Sequence, residues 1–158
     1  MKKLMRILFI IAPLMLLAQS NKAEKVYTYA LQLDTPQEKL WNTLIDFPNF
    51  DKWDDSVVDV RCAGALKKKG ICQAILATGE LFEITITDFV ENEGYTLRYK
   101  LSSGNVYVKR AIDPSNNTLT ETVWYTGISK RTFEKYKGKD YKEIQEKRML
   151  ALKEYITD

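Results

Sequence analysis

The chain of 158 residues is 45% hydrophobic and 28% charged, with 24 basic and 21 acidic side chains. This composition predicts one soluble globular domain with a substantial core, and a net charge of +3 is too small to indicate a nucleic-acid-binding protein. The absence of His excludes Ser-His and Cys-His nucleophilic sites and removes the commonest metal ligand. No cluster of Cys, Asp and Glu has metal-site spacing, so we expect no metal and no cofactor.

Residues 1–20 have the pattern of a secretory signal peptide. Three basic residues among the first six precede an apolar run from Ile7 to Ala18, and Ala18 and Ser20 are small residues at the two positions that a signal peptidase reads. The run is shorter than the roughly 20 residues of a membrane span, so an uncleaved anchor is the minority interpretation. We expect cleavage after Ser20, a single domain over residues 21–158 and a periplasmic or secreted protein.

Export affects how the two cysteines, Cys62 and Cys72, are interpreted. Cysteines in an oxidising compartment can pair, whereas cytosolic cysteines usually stay reduced. The alternative is a pair of small buried thiols on neighbouring strands. The sequence leaves both alternatives open.

The mature chain begins with a predicted strand and two short helices. The strand covers Val26 to Leu33, where apolar and polar residues alternate. A helix is predicted to follow, because Thr35 can cap it, Pro36 suits the first helical position and Glu38 completes a capping box. Phe50 to Trp53 is predicted to form a second short turn of helix.

From Ser56 to Ile128 the hydrophobic period changes to two, and turn residues divide this segment into six strands. Folding each hairpin about its turn places hydrophobic residues opposite one another, which predicts an antiparallel meander with one apolar face. The predicted pairs are Cys62–Cys72, Ile86–Tyr99, Ile84–Leu101, Leu101–Val106, Tyr99–Val108, Val108–Val123 and Val106–Tyr125.

One row on the apolar face carries charges. Asp88, Leu97, Arg110 and Glu121 fall in this row across four strands. Burying such charges unpaired would cost several kcal/mol each, and a cross-strand pair between Arg110 and Glu121 would offset much of that cost. Either the row lies at the end of the sheet, where side chains reach water, or it forms a polar patch in an internal cavity.

A long amphipathic helix is predicted from Lys139 to Ile156. Its apolar sector contains Tyr141, Ile144, Met149, Ala151, Leu152, Tyr155 and Ile156. Gln145 and Arg148 fall inside this sector. Arg148 is either a snorkelling side chain at the rim of the core or a polar group that points into a cavity.

This order of elements resembles the START-like superfamily, also called SRPBCC or helix-grip, and within it the polyketide cyclase/dehydrase and lipid-transport group. The resemblance rests on Leu33–Trp41, a strand entering a Thr-Pro-x-Glu helix start, and on Ile45–Trp53, which ends at a Trp. It covers Lys25 to Asp158. It implies an α+β helix-grip fold, in which a curved seven-stranded antiparallel sheet wraps around a long C-terminal helix, with two short helices after the first strand.

The resemblance also implies a hydrophobic cavity between the sheet and the last helix, because members bind sterols, fatty acids, polyketides, plant hormones or aromatic compounds. The candidate lining residues are Trp53, Phe82, Ile84, Tyr99, Val108, Val123, Tyr125, Ile144, Arg148 and Leu152. The charged residues available to orient the polar end of a ligand are Asp88, Arg110, Glu121 and Arg148.

Three functions are compatible with these patterns. The first is a non-enzymatic exported protein that binds a small hydrophobic or amphipathic molecule. The second is a cyclase, dehydratase or isomerase that uses Asp88 or Glu121 as a general base, its pKa raised by apolar surroundings. The third is an interaction module with a filled interior, whose outer sheet face carries Tyr107 opposite Trp124. The patterns identify neither the ligand nor the oligomeric state.

Overall fold

The computed structural model describes residues 26–157, so the expected signal peptide, residues 1–20, lies outside the described part of the chain. A 3₁₀ helix covers Phe47–Lys52. The other elements are β1 (Val26–Gln32), α1 (Gln37–Ile45), β2 (Val57–Cys62), β3 (Ile71–Leu76), β4 (Leu81–Val90), β5 (Gly94–Leu101), β6 (Gly104–Asp113), β7 (Thr118–Thr126), α2 (Lys130–Lys137) and α3 (Tyr141–Thr157).

The seven strands form one open antiparallel sheet in the order β1-β7-β6-β5-β4-β3-β2. Helix α3 lies on the apolar face, since its buried residues Met149, Leu152 and Ile156 share a core with Ile84 and Leu97 of the sheet. Helix α1 and the 3₁₀ helix cover another part of this face. The predicted fold class is therefore confirmed. No helix within residues 26–157 combines the length and apolar character that crossing a bilayer requires.

The register of the β2–β3 and β6–β7 hairpins follows the prediction, whereas that of the β4–β5 and β5–β6 hairpins differs by two residues. Cys62 pairs with Cys72, Val108 with Val123 and Val106 with Tyr125, as predicted. The observed central pairs are Ile84–Tyr99, Ile86–Leu97, Leu97–Val108 and Tyr99–Val106, and the predicted central pairs were wrong. Because the displacement is an even number of residues, each of these side chains still faces the core.

The β5–β6 displacement has a local cause in a tight turn. Leu101 pairs with Gly104, so the hairpin closes over two residues, Ser102 and Ser103, rather than the longer turn that the sequence indicates. A Cβ atom on Gly104 would lie 2.2 Å from the carbonyl oxygen of Thr126. Only glycine permits that approach, and the turn is therefore tighter than its polar composition predicts.

A β-bulge in β4 moves Asp88 away from the row in which the sequence placed it. The register shifts between Ile86 and Asp88, so Asp88 pairs with Thr96 and faces outward. Its carboxylate is exposed and lies 3.3 Å from the ammonium of Lys68. The prediction that Asp88 shares a row with Arg110 was wrong, since an inserted residue inverts every side chain beyond it.

The helix starts also differ from expectation. Helix α1 begins at Gln37, Pro36 is its N-cap, and no side chain caps it, so the capping box at Thr35 was wrong. Helix α2 was not predicted, because Phe133 is its only buried residue and its other positions are mostly charged. A start signal was nevertheless present: the Ser129 hydroxyl accepts the backbone N–H of Thr132 at 3.1 Å.

The two cysteines form a disulfide that joins β2 to β3. The sulfur atoms of Cys62 and Cys72 are bonded at 1.99 Å, on residues that are direct partners across the hairpin. The structure thus contains the first of the two alternatives that the sequence left open.

The outer face of the sheet carries the expected aromatic pair. The rings of Tyr107 and Trp124 stack with centroids 5.0 Å apart, and both residues are half-buried. This pair stabilises β6 against β7.

Candidate functional site

The apolar side of the sheet contains two separate clusters of buried residues rather than one continuous core. The larger cluster joins α1, the 3₁₀ helix and the C-terminal half of α3 to residues of all seven strands. The smaller cluster contains Leu101, Val106, Val108, Val123, Tyr125, Phe133 and Tyr141. Phe82 and Tyr99 pack against both clusters, and each is half-buried. These two half-buried rings lie at the border between the clusters.

A charge cluster lies in the same layer, opposite the middle of α3. Glu121 on β7 is fully buried, and its Oε2 accepts Nε of Arg110 on β6 at 2.9 Å. Its Oε1 accepts Nη2 of Arg148 on α3. The Nε2 amide of Gln145 donates to the Glu121 backbone oxygen at 3.1 Å. One carboxylate thus holds an arginine of the sheet and an arginine of the helix, which ties the two layers together.

A second carboxylate, Asp54, lies beside both arginines and is also buried. Its Oδ1 accepts the backbone N–H and the hydroxyl of Ser56. Its Oδ2 is 3.8 Å from Nη2 of Arg110 and 3.7 Å from Nε of Arg148. These separations are too long for hydrogen bonds but lie within ion-pair range. Two cations and two anions make the charge cluster neutral.

Two buried polar atoms of the charge cluster have no hydrogen-bond partner within the described residues. They are Nε of Arg148 and Oε1 of Gln145, both on the sheet-facing side of α3. Unsatisfied buried polar atoms are rare, because each one loses its hydration without compensation. Both atoms are therefore available to a polar group from outside the chain.

Aromatic side chains surround the guanidinium of Arg110. Its Nη1 donates to the hydroxyl of Tyr95 at 2.9 Å, and that hydroxyl donates to the carbonyl of Leu44 at 2.9 Å. Its central carbon lies 4.7 Å from the ring centroid of Trp53 and 5.3 Å from that of Phe50. These cation–π contacts and hydrogen bonds compensate for the lost hydration of Arg110.

The pKa values identify which groups of the cluster are charged. Burial by itself raises the pKa of Glu121, but Arg148 and Arg110 outweigh burial and lower this pKa to about 2. Burial raises the pKa of Tyr141 to about 12, although Arg148 opposes this by donating to its hydroxyl. A general base works best with a pKa near the operating pH. The expected raised pKa at Glu121 was wrong, because two arginines hold it ionised.

Lys137, the last residue of α2, lies at the border between the two apolar clusters. Its Nζ is 4.4 Å from the ring centroid of Tyr99. Burial, with a smaller contribution from Arg148, lowers the pKa of Lys137 to about 8. Both Lys137 and Tyr99 keep accessible surface, since both are half-buried. Because both side chains are surrounded by protein yet keep accessible surface, we expect an internal space beside them, between the two clusters.

The structure separates the predicted site residues into four groups. Arg110, Glu121 and Arg148 form the charge cluster, with Trp53 against Arg110. The predicted residues that are half-buried in the region between the two clusters are Phe82, Tyr99 and Ile144. Those packed in the core with at most 9% exposure are Ile84, Val108, Val123, Tyr125 and Leu152. Asp88 lies on the opposite face. The packed group leaves little surface for a ligand.

Four residues at this site were not predicted. Asp54 follows Trp53 directly, and its only signal in the sequence was that it is a polar residue placed just after the segment that ends at Trp53. Tyr95 occupies the position assigned to Leu97, because of the register displacement. Tyr141 was predicted only as an apolar helix residue, and Lys137 belongs to the helix that the patterns missed.

Open pockets on the surface lie close to only part of this arrangement. One, of about 480 Å³, lies outside the sheet between α1 and Tyr155 and is lined mostly by polar side chains. A smaller one, about 140 Å³, lies between the 3₁₀ helix and α3 and is lined by Trp53 and Arg148. The smaller pocket gives the charge cluster a route to solvent. No group of three His, Cys, Asp or Glu side chains within residues 26–157 is arranged to hold a metal ion.

Comparison with known proteins finds similar structures but no similar sequences. No protein-family model and no curated protein matches the chain. A protein from Mesorhizobium loti is 13% identical with a TM-score of 0.65, over 84% of this chain and 97% of that chain. The major latex-like protein 151 of Panax ginseng is 9% identical with a TM-score of 0.63, over 83% of this chain and 96% of that chain.

A third similar structure is that of DynU16, a protein of the dynemicin biosynthetic locus. It is 12% identical with a TM-score of 0.63, and the match covers 84% of this chain but only 47% of that chain. At such low identities these similarities concern the fold alone.

Proposed function

Because the chain has the helix-grip fold of the START-like superfamily, we propose that it is an exported protein that binds a small hydrophobic or amphipathic molecule between the sheet and α3. The observation that carries this proposal is the division of the apolar side into two clusters, with Phe82 and Tyr99 half-buried between them. Mostly apolar sites with a few convergent polar groups are typical of such ligands.

The two ends of the proposed ligand have different surroundings. Its apolar part lies against Phe82, Tyr99 and Ile144, which are half-buried. Its polar end is oriented by the unpartnered Nε of Arg148 and Oε1 of Gln145. Since the neighbouring core positions are closed by packing, the ligand is small or binds with much of its surface toward α2.

The enzyme alternative has less support than the binding protein. Asp88 lies on the outer face, and the two carboxylates at the site, Glu121 and Asp54, each lie within 4.0 Å of arginine nitrogens. A carboxylate with a pKa of about 2 is a weak base at neutral pH.

The experiment is a titration of the mature chain with an apolar solvatochromic dye, compared between matched variants on one helix. Ile144→Phe fills the proposed space, whereas Leu150→Phe adds the same ring at a position that is 47% exposed on α3. We expect wild type and Leu150→Phe to bind the dye, and Ile144→Phe to bind at least about tenfold more weakly. Circular dichroism confirms that both variants fold. If wild type binds no apolar probe and extracts no lipid, the proposal is wrong.

Export is tested separately. The signal-peptide pattern and the Cys62–Cys72 disulfide support an oxidising compartment. Mass spectrometry of the protein from periplasmic and medium fractions is expected to find a chain that begins at Asn21. A protein that keeps Met1 and stays in the cytoplasmic fraction would contradict export and leave ligand binding untouched.

A further inference from the structure

We infer that Lys137 binds the anionic group of the ligand, so that the ligand class is an amphipathic organic anion with a carboxylate or similar group next to an apolar body. This inference rests on the proposed function and adds the chemistry of the ligand to it. Three features support it: the position in which α2 holds Lys137, the charge balance around this residue and the apolar side chains in the same region.

Helix α2 fixes Lys137 at the border between the two apolar clusters. Phe133 of this helix stacks on Tyr125 with centroids 4.6 Å apart, and Tyr136 contacts Phe82 edge-on at 5.7 Å. Gly138, with φ of 91°, ends the helix directly after Lys137. The lysine therefore has a fixed backbone position, and its flexible stem carries the ammonium to the ring of Tyr99.

The charge balance at the site leaves one cation in excess. Arg110 and Arg148 are balanced by Glu121 and Asp54, as described above. No carboxylate of residues 26–157 lies within 4.0 Å of the Lys137 ammonium, whose described contact is the Tyr99 ring. A partly desolvated cation without a counter-ion is unfavourable, and a bound anion would offset that penalty.

The two arginines cannot take this role equally well. The carboxylate of Glu121 already accepts hydrogen bonds from both of them, and the field of Glu121 and Asp54 repels a further anion. The unpartnered atoms of Arg148 and Gln145 can orient neutral polar atoms. Lys137 is thus the cation whose charge is still available to an incoming group.

The apolar side chains of this region favour a ligand that has an apolar body as well as a charge. Phe82, Tyr99, Tyr136 and Ile144 are half-buried and pack against the smaller cluster. A small inorganic anion would leave this surface uncovered. An organic anion would cover it and place its charge on Lys137.

The experiment compares two probes that differ only in charge: cis-parinaric acid and its methyl ester, titrated by fluorescence against the mature chain. Wild type is expected to bind the acid at least tenfold more tightly than the ester. Lys137→Met keeps the length of the side chain and removes its charge, so it is expected to weaken acid binding at least tenfold and leave ester binding within about twofold. Lys137→Arg is expected to restore acid binding.

Lys153→Met is the matched control, because Lys153 is exposed on α3. It is expected to bind both probes as wild type does. Equal binding of acid and ester by wild type, or equal loss of both in Lys137→Met, would overturn the role of Lys137 and leave the proposed function standing. If wild type binds neither probe, the proposed function itself fails.

Discussion

Glu121 joins the sheet to α3 through charge. It is fully buried between two arginines that come from different layers. Its role could be predicted only in part: the Arg110–Glu121 pair follows from the β6–β7 register, whereas the contact with Arg148 depends on how α3 is rotated against the sheet. Arg148 is only 6% exposed and pairs with Glu121 rather than snorkelling to solvent, and that it points into a cavity stays a prediction.

Replacement of Glu121 by Gln is expected to destabilise the protein strongly. The variant leaves Arg110 and Arg148 buried with one counter-ion fewer, and unpairing a buried charge costs about 3–5 kcal/mol. Urea denaturation measures the change in the free energy of unfolding. Glu83→Gln, an exposed position on β4, is the control and is expected to change stability by less than about 0.5 kcal/mol. Similar stabilities for the two variants would show that the buried pairs contribute little.

Replacement of Lys137 by Met is expected to stabilise the ligand-free protein, by roughly 1–2 kcal/mol at pH 7 after allowance for its partial exposure. Burial in the folded protein lowers the pKa of Lys137 to about 8, below the ordinary value of 10.5. The unfolded chain therefore binds this proton more tightly, and the penalty is complete below pH 8. The groups that face the ammonium or act on its charge are Tyr99, Arg148, Asp54, Glu121 and Arg110.

The pH dependence of the stability gain in Lys137→Met distinguishes the effect of the lysine charge from an effect of side-chain packing. As the pH rises from about 8 to 10.5, the penalty at Lys137 disappears, so the difference in unfolding free energy between Lys137→Met and wild type is expected to shrink toward the packing contribution alone. Chemical denaturation at pH 7, 9 and 10.5 measures this difference. A difference that stays constant with pH would contradict the charge-based explanation.

At the scale of the elements, the regular pattern predicts the strands and their faces, but irregular features decide the details. The β6–β7 hairpin has no bulge, and its predicted pairs are confirmed. The bulge at Asp88 and the close approach at Gly104 are invisible to a period of two, because they depend on backbone geometry. Helix α2 was missed for another reason: with eight residues, of which only Phe133 is buried, it is too short and too polar to be recognised from its apolar residues.

The β2–β3 hairpin provides a test at this scale. The Cys62–Cys72 disulfide closes a loop with a sequence separation of 10, for which chain entropy predicts a contribution of about 2–3 kcal/mol. The double variant Cys62→Ala, Cys72→Ala is expected to lose this amount in urea denaturation. A thiol reagent applied to unfolded, unreduced wild type is expected to find no free thiol, and two free thiols would contradict the bridge.

At the scale of the whole molecule, the sequence predicts the architecture better than the site. Periodicity predicts the strands and the amphipathic α3, and the resemblance to the helix-grip superfamily places α3 on the sheet, where its apolar sector is buried. The site requires distances between side chains of non-adjacent elements. Asp54, Tyr95 and Lys137 reach the same region from the segment after the 3₁₀ helix, from β5 and from α2, and no spacing in the chain relates those three positions.

The division of the apolar side has a consequence for motion. The smaller cluster has fewer buried residues than the larger one, so we expect it to act as the less stable unit and to loosen before the larger cluster unfolds. Helix α2 belongs to the smaller unit and borders the internal space. Fluctuation of that unit alone would admit a guest molecule while the disulfide hairpin, α1 and the end of α3 remain folded.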